Sequence, residues 1–321
     1  MNKRERVLAA MQGRPVDRLP AGFWFHFPAD KAAGEASIRA HLEYYNTIDV
    51  DMVKVMCDGY FDYPNSVAKA VKEPKDWYAM KPLGADSPFI REQVERARGI
   101  KAGLKDDMVV IYNVFAPFSL IRFAVGDELV MRHLHEDPAA IDYALNVIAE
   151  DVCTLGEKLI TEGGIDGVYY CVQGGEKNRF TAEEYRRLIT PTDVKPLEHI
   201  NRFSKNNVLH CCGWAGIPNN VDIWQDYPVQ TVNWACYIEE MPLPAGKKFF
   251  GGRPVLGGFD NRPGGVLYSG TREQVAEETR RLADSMRGQT GVILGADCTL
   301  PADVDIRRFG WVVDTLKEMA D

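Results

Sequence analysis

The chain has 321 residues, 45% of them apolar and 26% charged, which is the balance of a soluble globular protein with a large core. A net charge of −8 and a pI near 5.4 argue against a general affinity for nucleic acid or anionic membrane, and no Lys/Arg cluster overrides that balance. No apolar stretch approaches the roughly 18–20 residues that span a bilayer, so the protein is expected in the cytoplasm with its thiols reduced.

The opening, MNKRERVLAAMQGRPVDR, is charged and helical in pattern and lacks the apolar core of a signal peptide. Eight short apolar runs follow, at residues 19–28, 51–59, 107–117, 166–174, 207–213, 230–236, 254–260 and 291–299. Each is rich in β-branched or aromatic residues and continuously apolar, as a parallel strand buried on both faces reads. Helical patterns lie between most of them. PAAIDYALNVIAEDVCTLGEKLITEGG stops at Gly-Gly. TAEEYRRLITPTDVKPLEHINRFSK opens with a capping box, Thr181 with Glu184. GTREQVAEETRRLADSMRG starts at a Thr cap and ends at Gly288, and PADVDIRRFGWVVDTLKEMA closes the chain. Residues 60–89 read as an irregular excursion, and residues 237–253 as too Pro/Gly-rich for a full helix. Strand–helix alternation with eight strands predicts an α/β fold, a (β/α)8 TIM barrel with an extra N-terminal helix, over one domain of residues 1–321. A doubly wound open sheet is the alternative, but no G-x-G-x-x-G follows the first strand.

In such a barrel the functional face is the C-terminal end of the strands. The fifth run ends NVLHCCG. Strand alternation puts His210 and Cys212 on one side and turns Cys211 away. The eighth run ends GADCT and brings Cys298 to the same mouth. One imidazole and two thiols select zinc over magnesium or calcium, and three protein ligands with an open fourth position is the catalytic pattern. The dipeptide spacing alone favours ordinary burial. The third soft ligand at the end of another strand tips the reading to a metal. Cys153 reads as a helix core residue; Cys57, Cys171 and Cys236 sit at strand ends, where lining the pocket is the alternative to the favoured reading of packing.

The opening RERVLAAMQGRPVDRLPAGFW, the HCCG of the fifth run and the closing LGADCTLPADV resemble the uroporphyrinogen decarboxylase superfamily, in the same order over nearly the whole chain. The resemblance implies the same barrel, and one of two chemistries: metal-free decarboxylation of a porphyrinogen, or zinc-dependent methyl transfer of the methylcobalamin:coenzyme M type. A decarboxylase of this family carries an arginine-rich segment after the first strand, a Tyr and a late His. Here FHFPADKAAGE has no arginine, Phe123 replaces the Tyr and Asp297 the His, while the strand-two Asp is kept as Asp58. The methyltransferase pattern is complete as His210, Cys212 and Cys298. The expected function is therefore zinc-dependent methyl transfer between a corrinoid and a thiol. Without a D-x-H-x-x-G motif in the chain, the methylcobamide is expected on a partner corrinoid protein. The alternatives are the decarboxylase itself, or a non-catalytic barrel with structural zinc. His26 and Asp58 are the candidate catalytic residues, and Tyr170, Gln173 and Asp260 the candidate substrate contacts. Glu176 is a reserve fourth ligand, and Asn261 a further polar contact. A homodimer is the general default.

Overall fold

All eight apolar runs form strands. In the computed structural model, which describes residues Met1–Ala320, they are β1 (Ala21–Gly22), β2 (Met52–Val55), β3 (Val109–Phe115), β4 (Gly167–Val172), β5 (Val208–Cys211), β6 (Thr231–Trp234), β7 (Val255–Phe259) and β8 (Val292–Ala296). Neighbours pair in parallel in the order β1-β8-β7-β6-β5-β4-β3-β2, so the sheet curls round to a nearly closed barrel. At the seam the Asp51 amide donates to the Ala21 carbonyl at 2.8 Å. Past β1 the chain stays extended: Leu300 N donates to Trp24 O and His26 N to Leu300 O, which ties His26 to the loop after β8.

The helix α1 (Lys3–Met11) precedes the barrel, capped by Asn2 and Glu5. Its Val7, Ala10 and Met11 pack against Met52, Val109 and Ile293 inside the barrel and close the end opposite the mouth. A buried carboxylate latches this end. Asp51 accepts from Arg6, from both terminal nitrogens of Arg18, and from the Ala21 amide. Buried charge is tolerated because every carboxylate lone pair is engaged. The outward faces of the strands pack on the surrounding helices in a second, larger core.

The third expected helix breaks in two. Ala182–Leu188 keeps the predicted Thr181–Glu184 capping box, then the helix is interrupted at Ile189, which stays near helical geometry at φ −117° and ψ −44°, and restarts as Thr190–Ile200. Pro191 is the reason: it has no N–H to give a continuing helix and clashes with the turn before it, so it is accommodated only in a first turn. Residues 60–89 hold two short pieces, Ser66–Ala70 and the 3-10 turn Pro74–Ala79, and the crossover after β6 shrinks to Leu243–Phe249. Among the described residues no helix is long and apolar enough to cross a membrane.

Candidate metal centre

His210 lies on β5 with its side chain inside the barrel, and Cys212 follows one residue past the strand, anchored by its amide to Val172 O at 3.1 Å. Cys298 comes in from the loop after β8. The three donor atoms lie within 4.8 Å of one another. Cys212 Sγ is 3.8 Å from Cys298 Sγ, and Cys298 Sγ is 3.4 Å from His210 Nε2. Tetrahedral zinc with Zn–S near ~2.3 Å and Zn–N near ~2.0 Å sets its sulfurs about 3.8 Å apart and sulfur and nitrogen about 3.5 Å apart. The two edges that meet at Cys298 therefore fit the ion that the donor chemistry favours, and the third lies within 4.8 Å. The hydrogen bond with Cys212, and then the imidazole of His210, hold the Cys298 thiol well below its ordinary range. The same pairing, with burial, pushes Cys212 well above it. Cys211 faces the helix layer, fully buried.

Asn233 on β6 fixes the imidazole. Its Nδ2 donates to Leu256 O at 2.7 Å and to Ala296 O at 3.2 Å, so the amide has one orientation. Oδ1 then accepts from the Tyr169 hydroxyl at 2.7 Å and faces His210 Nδ1. An amide oxygen only accepts, so Nδ1 carries a proton, and in the neutral ring that a metal would need the lone pair is left on Nε2, which faces Cys298. Tyr169 also stacks on the imidazole, with ring centroids 5.0 Å apart.

The cluster borders a cavity of about 430 Å³ at the barrel mouth. Phe61, Phe115, Phe123 and Trp214 form an aromatic side of it, and Lys54, Met56 and Asn113 also line it. Gln173 reaches in and donates from Nε2 to Cys212 Sγ at 3.6 Å. His26 lines the cavity, and its Nδ1 sits 2.8 Å from Asp58 Oδ1, whose second oxygen accepts the Phe27 amide at 2.9 Å.

Several expected residues lie elsewhere. Tyr170 does not reach the mouth: it alternates outward from Tyr169, is fully buried, and its hydroxyl donates to Asp193 O. Asp260 is outside the cavity lining, held by Arg262 through two side-chain hydrogen bonds of 2.8 Å. Glu176 is buried against Arg179 and is not among the clustered donors. Asn261 bonds the Thr299 carbonyl. Asp297 turns its carboxylate to the Tyr237 and Gly258 amides, and burial pushes it up to about 7. Cys171, expected to pack, lines the cavity. Sequence reasoning missed Asn233 and Lys54. Each is a lone polar residue inside an apolar run, QTVNWAC and DMVKVMCDG, and that interruption was the available signal.

A family model for uroporphyrinogen decarboxylase (URO-D) matches residues 49–319. The chain is 20% identical over 312 residues to the methylcobamide:CoM methyltransferase MtbA of Methanosarcina acetivorans, covering 88% of each chain. It is 20% identical over 313 residues to the MtbA of Methanosarcina mazei, covering 88% of this chain and 89% of that one. A solved methyltransferase structure from Methanosarcina mazei superposes over 100% of both chains with a TM-score of 0.77 at 15% identity, which shows a shared fold. With the barrel in place and the family model spanning most of it, the chain belongs to the uroporphyrinogen decarboxylase family.

Proposed function

We propose that the protein is a zinc-dependent methyltransferase that moves a methyl group between a corrinoid and a thiol. One observation carries this reading. Two thiols and an imidazole converge at zinc-ligand spacing on the mouth cavity, in a chain that is similar over most of its length to two methylcobamide:CoM methyltransferases. His210, Cys212 and Cys298 would hold the ion. When bound, zinc supplies the Lewis acidity that keeps a thiol deprotonated and nucleophilic at neutral pH.

The chain's own residues divide the remaining work. Asn233 holds His210 in the tautomer that leaves Nε2 free, and Gln173 steadies Cys212. The aromatic side of the cavity gives the reacting sulfur apolar neighbours. In the transfer the thiol sulfur bonds the methyl carbon as the cobalt–carbon bond breaks. The bonding pair stays on cobalt, which passes from Co(III) to Co(I), and the thiol proton departs. His26, oriented by Asp58, takes that proton. The methylcobamide arrives on a partner corrinoid protein. The decarboxylase alternative asks for arginines that clamp several carboxylates. Among the described residues the cavity lining offers none, and Phe123 stands on its aromatic side.

Zinc analysis combined with X-ray absorption at the zinc, which counts its sulfur neighbours, tests the reading. We expect one zinc per chain, a shell of two sulfurs, and three when a thiol substrate is added. Cys211→Ser keeps the metal, because Cys211 faces the helices, whereas Cys212→Ser loses it. Equal metal retention in both variants, or a sulfur count that no thiol changes, would overturn the proposal.

A further inference from the structure

Strands β1 and β2 are the two ends of the curled sheet, and among the described residues no ladder of backbone hydrogen bonds joins them. The barrel therefore has a seam. At its closed end Asp51 holds the seam: its amide donates to the Ala21 carbonyl, and its carboxylate accepts the Ala21 amide. At the mouth end side chains do this work. Asp58, beyond β2, accepts the Phe27 amide at 2.9 Å and sits 2.8 Å from His26 Nδ1, and both partners belong to the segment after β1. The proposed base and the carboxylate that orients it thus stand on opposite sides of the seam.

Arg96 makes the second crossing. It lies on the helix Pro88–Gly103 and is 1% exposed. A buried guanidinium is costly to desolvate unless acceptors engage it. Among the described residues no carboxylate pairs with this one, and its donors go to backbone carbonyls instead. Nη1 donates to Met56 O at 2.8 Å and to Asp58 O at 3.0 Å, and Nη2 donates to Ala32 O. Met56 and Asp58 follow β2, whereas Ala32 lies in the loop after β1. One planar fork therefore grips both banks, with the Tyr60 ring beneath it at 4.6 Å. The banks also meet closely. Gly59 has φ +86°, and a Cβ there would come within 2.8 Å of Ala32 O.

We infer that Arg96 is a positioning residue, which staples the seam at the mouth and so keeps Asp58 within hydrogen-bond distance of His26. The inference rests on the methyltransferase reading for the use made of His26, but not for the staple itself. The competing role for Arg96, filling space behind the loops, asks for bulk and not for a fork of donors.

The test uses Arg96→Met, and Arg96→Lys should the first variant not fold; lysine keeps the charge and loses the fork. Hydrogen exchange of the Phe27 amide in metal-free protein is compared with that of the Ala21 amide, which Asp51 holds at the other end of the same seam. A general loss of stability speeds both amides alike. Loss of the staple raises the Phe27-to-Ala21 ratio about tenfold, the worth of one hydrogen bond, while zinc uptake stays at the wild-type level. Methyl transfer then falls about tenfold when His26 is present and no further in a His26→Asn background, because Arg96 acts through His26. An unchanged exchange ratio, or the same loss of rate in both backgrounds, overturns the inference. If the wild type transfers no methyl group to any thiol, the methyltransferase reading fails, and the exchange ratio alone decides whether the staple stands.

Discussion

Truncating Asn233 to alanine isolates how the imidazole of His210 is held. The amide joins four groups: the Tyr169 hydroxyl, His210 Nδ1, and the carbonyls of Leu256 and Ala296. In Asn233→Ala two donors, the Tyr169 O–H and the His210 Nδ1–H, lose their acceptor in a region closed to water. At about 1–3 kcal/mol for each buried group left unpaired, the metal-free fold loses about 2–6 kcal/mol. The metal site suffers separately, since the ring is free to rotate or change tautomer. Loss of such a supporting partner weakens metal binding about 10- to 100-fold, equivalent to about 1.4–2.7 kcal/mol. Denaturant titration of the metal-free protein reads the first quantity, and competition with a chromophoric zinc chelator reads the second. Zinc affinity within about twofold of wild type would refute the tautomer argument, whatever happens to stability.

Two further outcomes follow from the same geometry. His26→Asn should slow methyl transfer by about 100-fold near neutral pH, the usual worth of a positioned base, and by less at high pH, where solvent removes the thiol proton. A pH-independent deficit would show that His26 only packs. Asp193 tests the fold rather than the site. Burial pushes its carboxyl up to about 7, against the pull of the Tyr185 and Tyr227 hydroxyls that donate to it. The folded state then keeps a proton that the unfolded chain releases near pH 4. This contribution is full below about pH 4 and is lost as pH rises to about 7, at no more than about 1.4 kcal/mol per pH unit. Stability of Asp193→Asn, measured by denaturant titration across that window, should fall less steeply than that of wild type; identical slopes would mean the carboxyl is ionised in the fold.

The barrel was legible in the chain because a strand buried on both faces must be continuously apolar, and eight such runs separated by amphipathic segments leave little choice of architecture. The convergence of His210, Cys212 and Cys298 was legible for a different reason. In HCCG the polar and soft residues carry their own alternation, so the side on which His210 and Cys212 sit, and the outward turn of Cys211, followed from strand geometry alone. The same property hid the inward side of β4. In DGVYYCV both alternating sets are apolar or aromatic, so nothing local distinguishes Tyr169 from Tyr170, and the inward residue proved to be Tyr169. Asn233 and Lys54 were hidden more deeply. Their partners come from β4, β5, β7 and β8 in one case and from β4 and the segment after β1 in the other. Local sequence encodes each strand's own periodicity, whereas the curvature that carries side chains from strands far apart in the chain to the same depth inside the barrel arises only when the sheet closes.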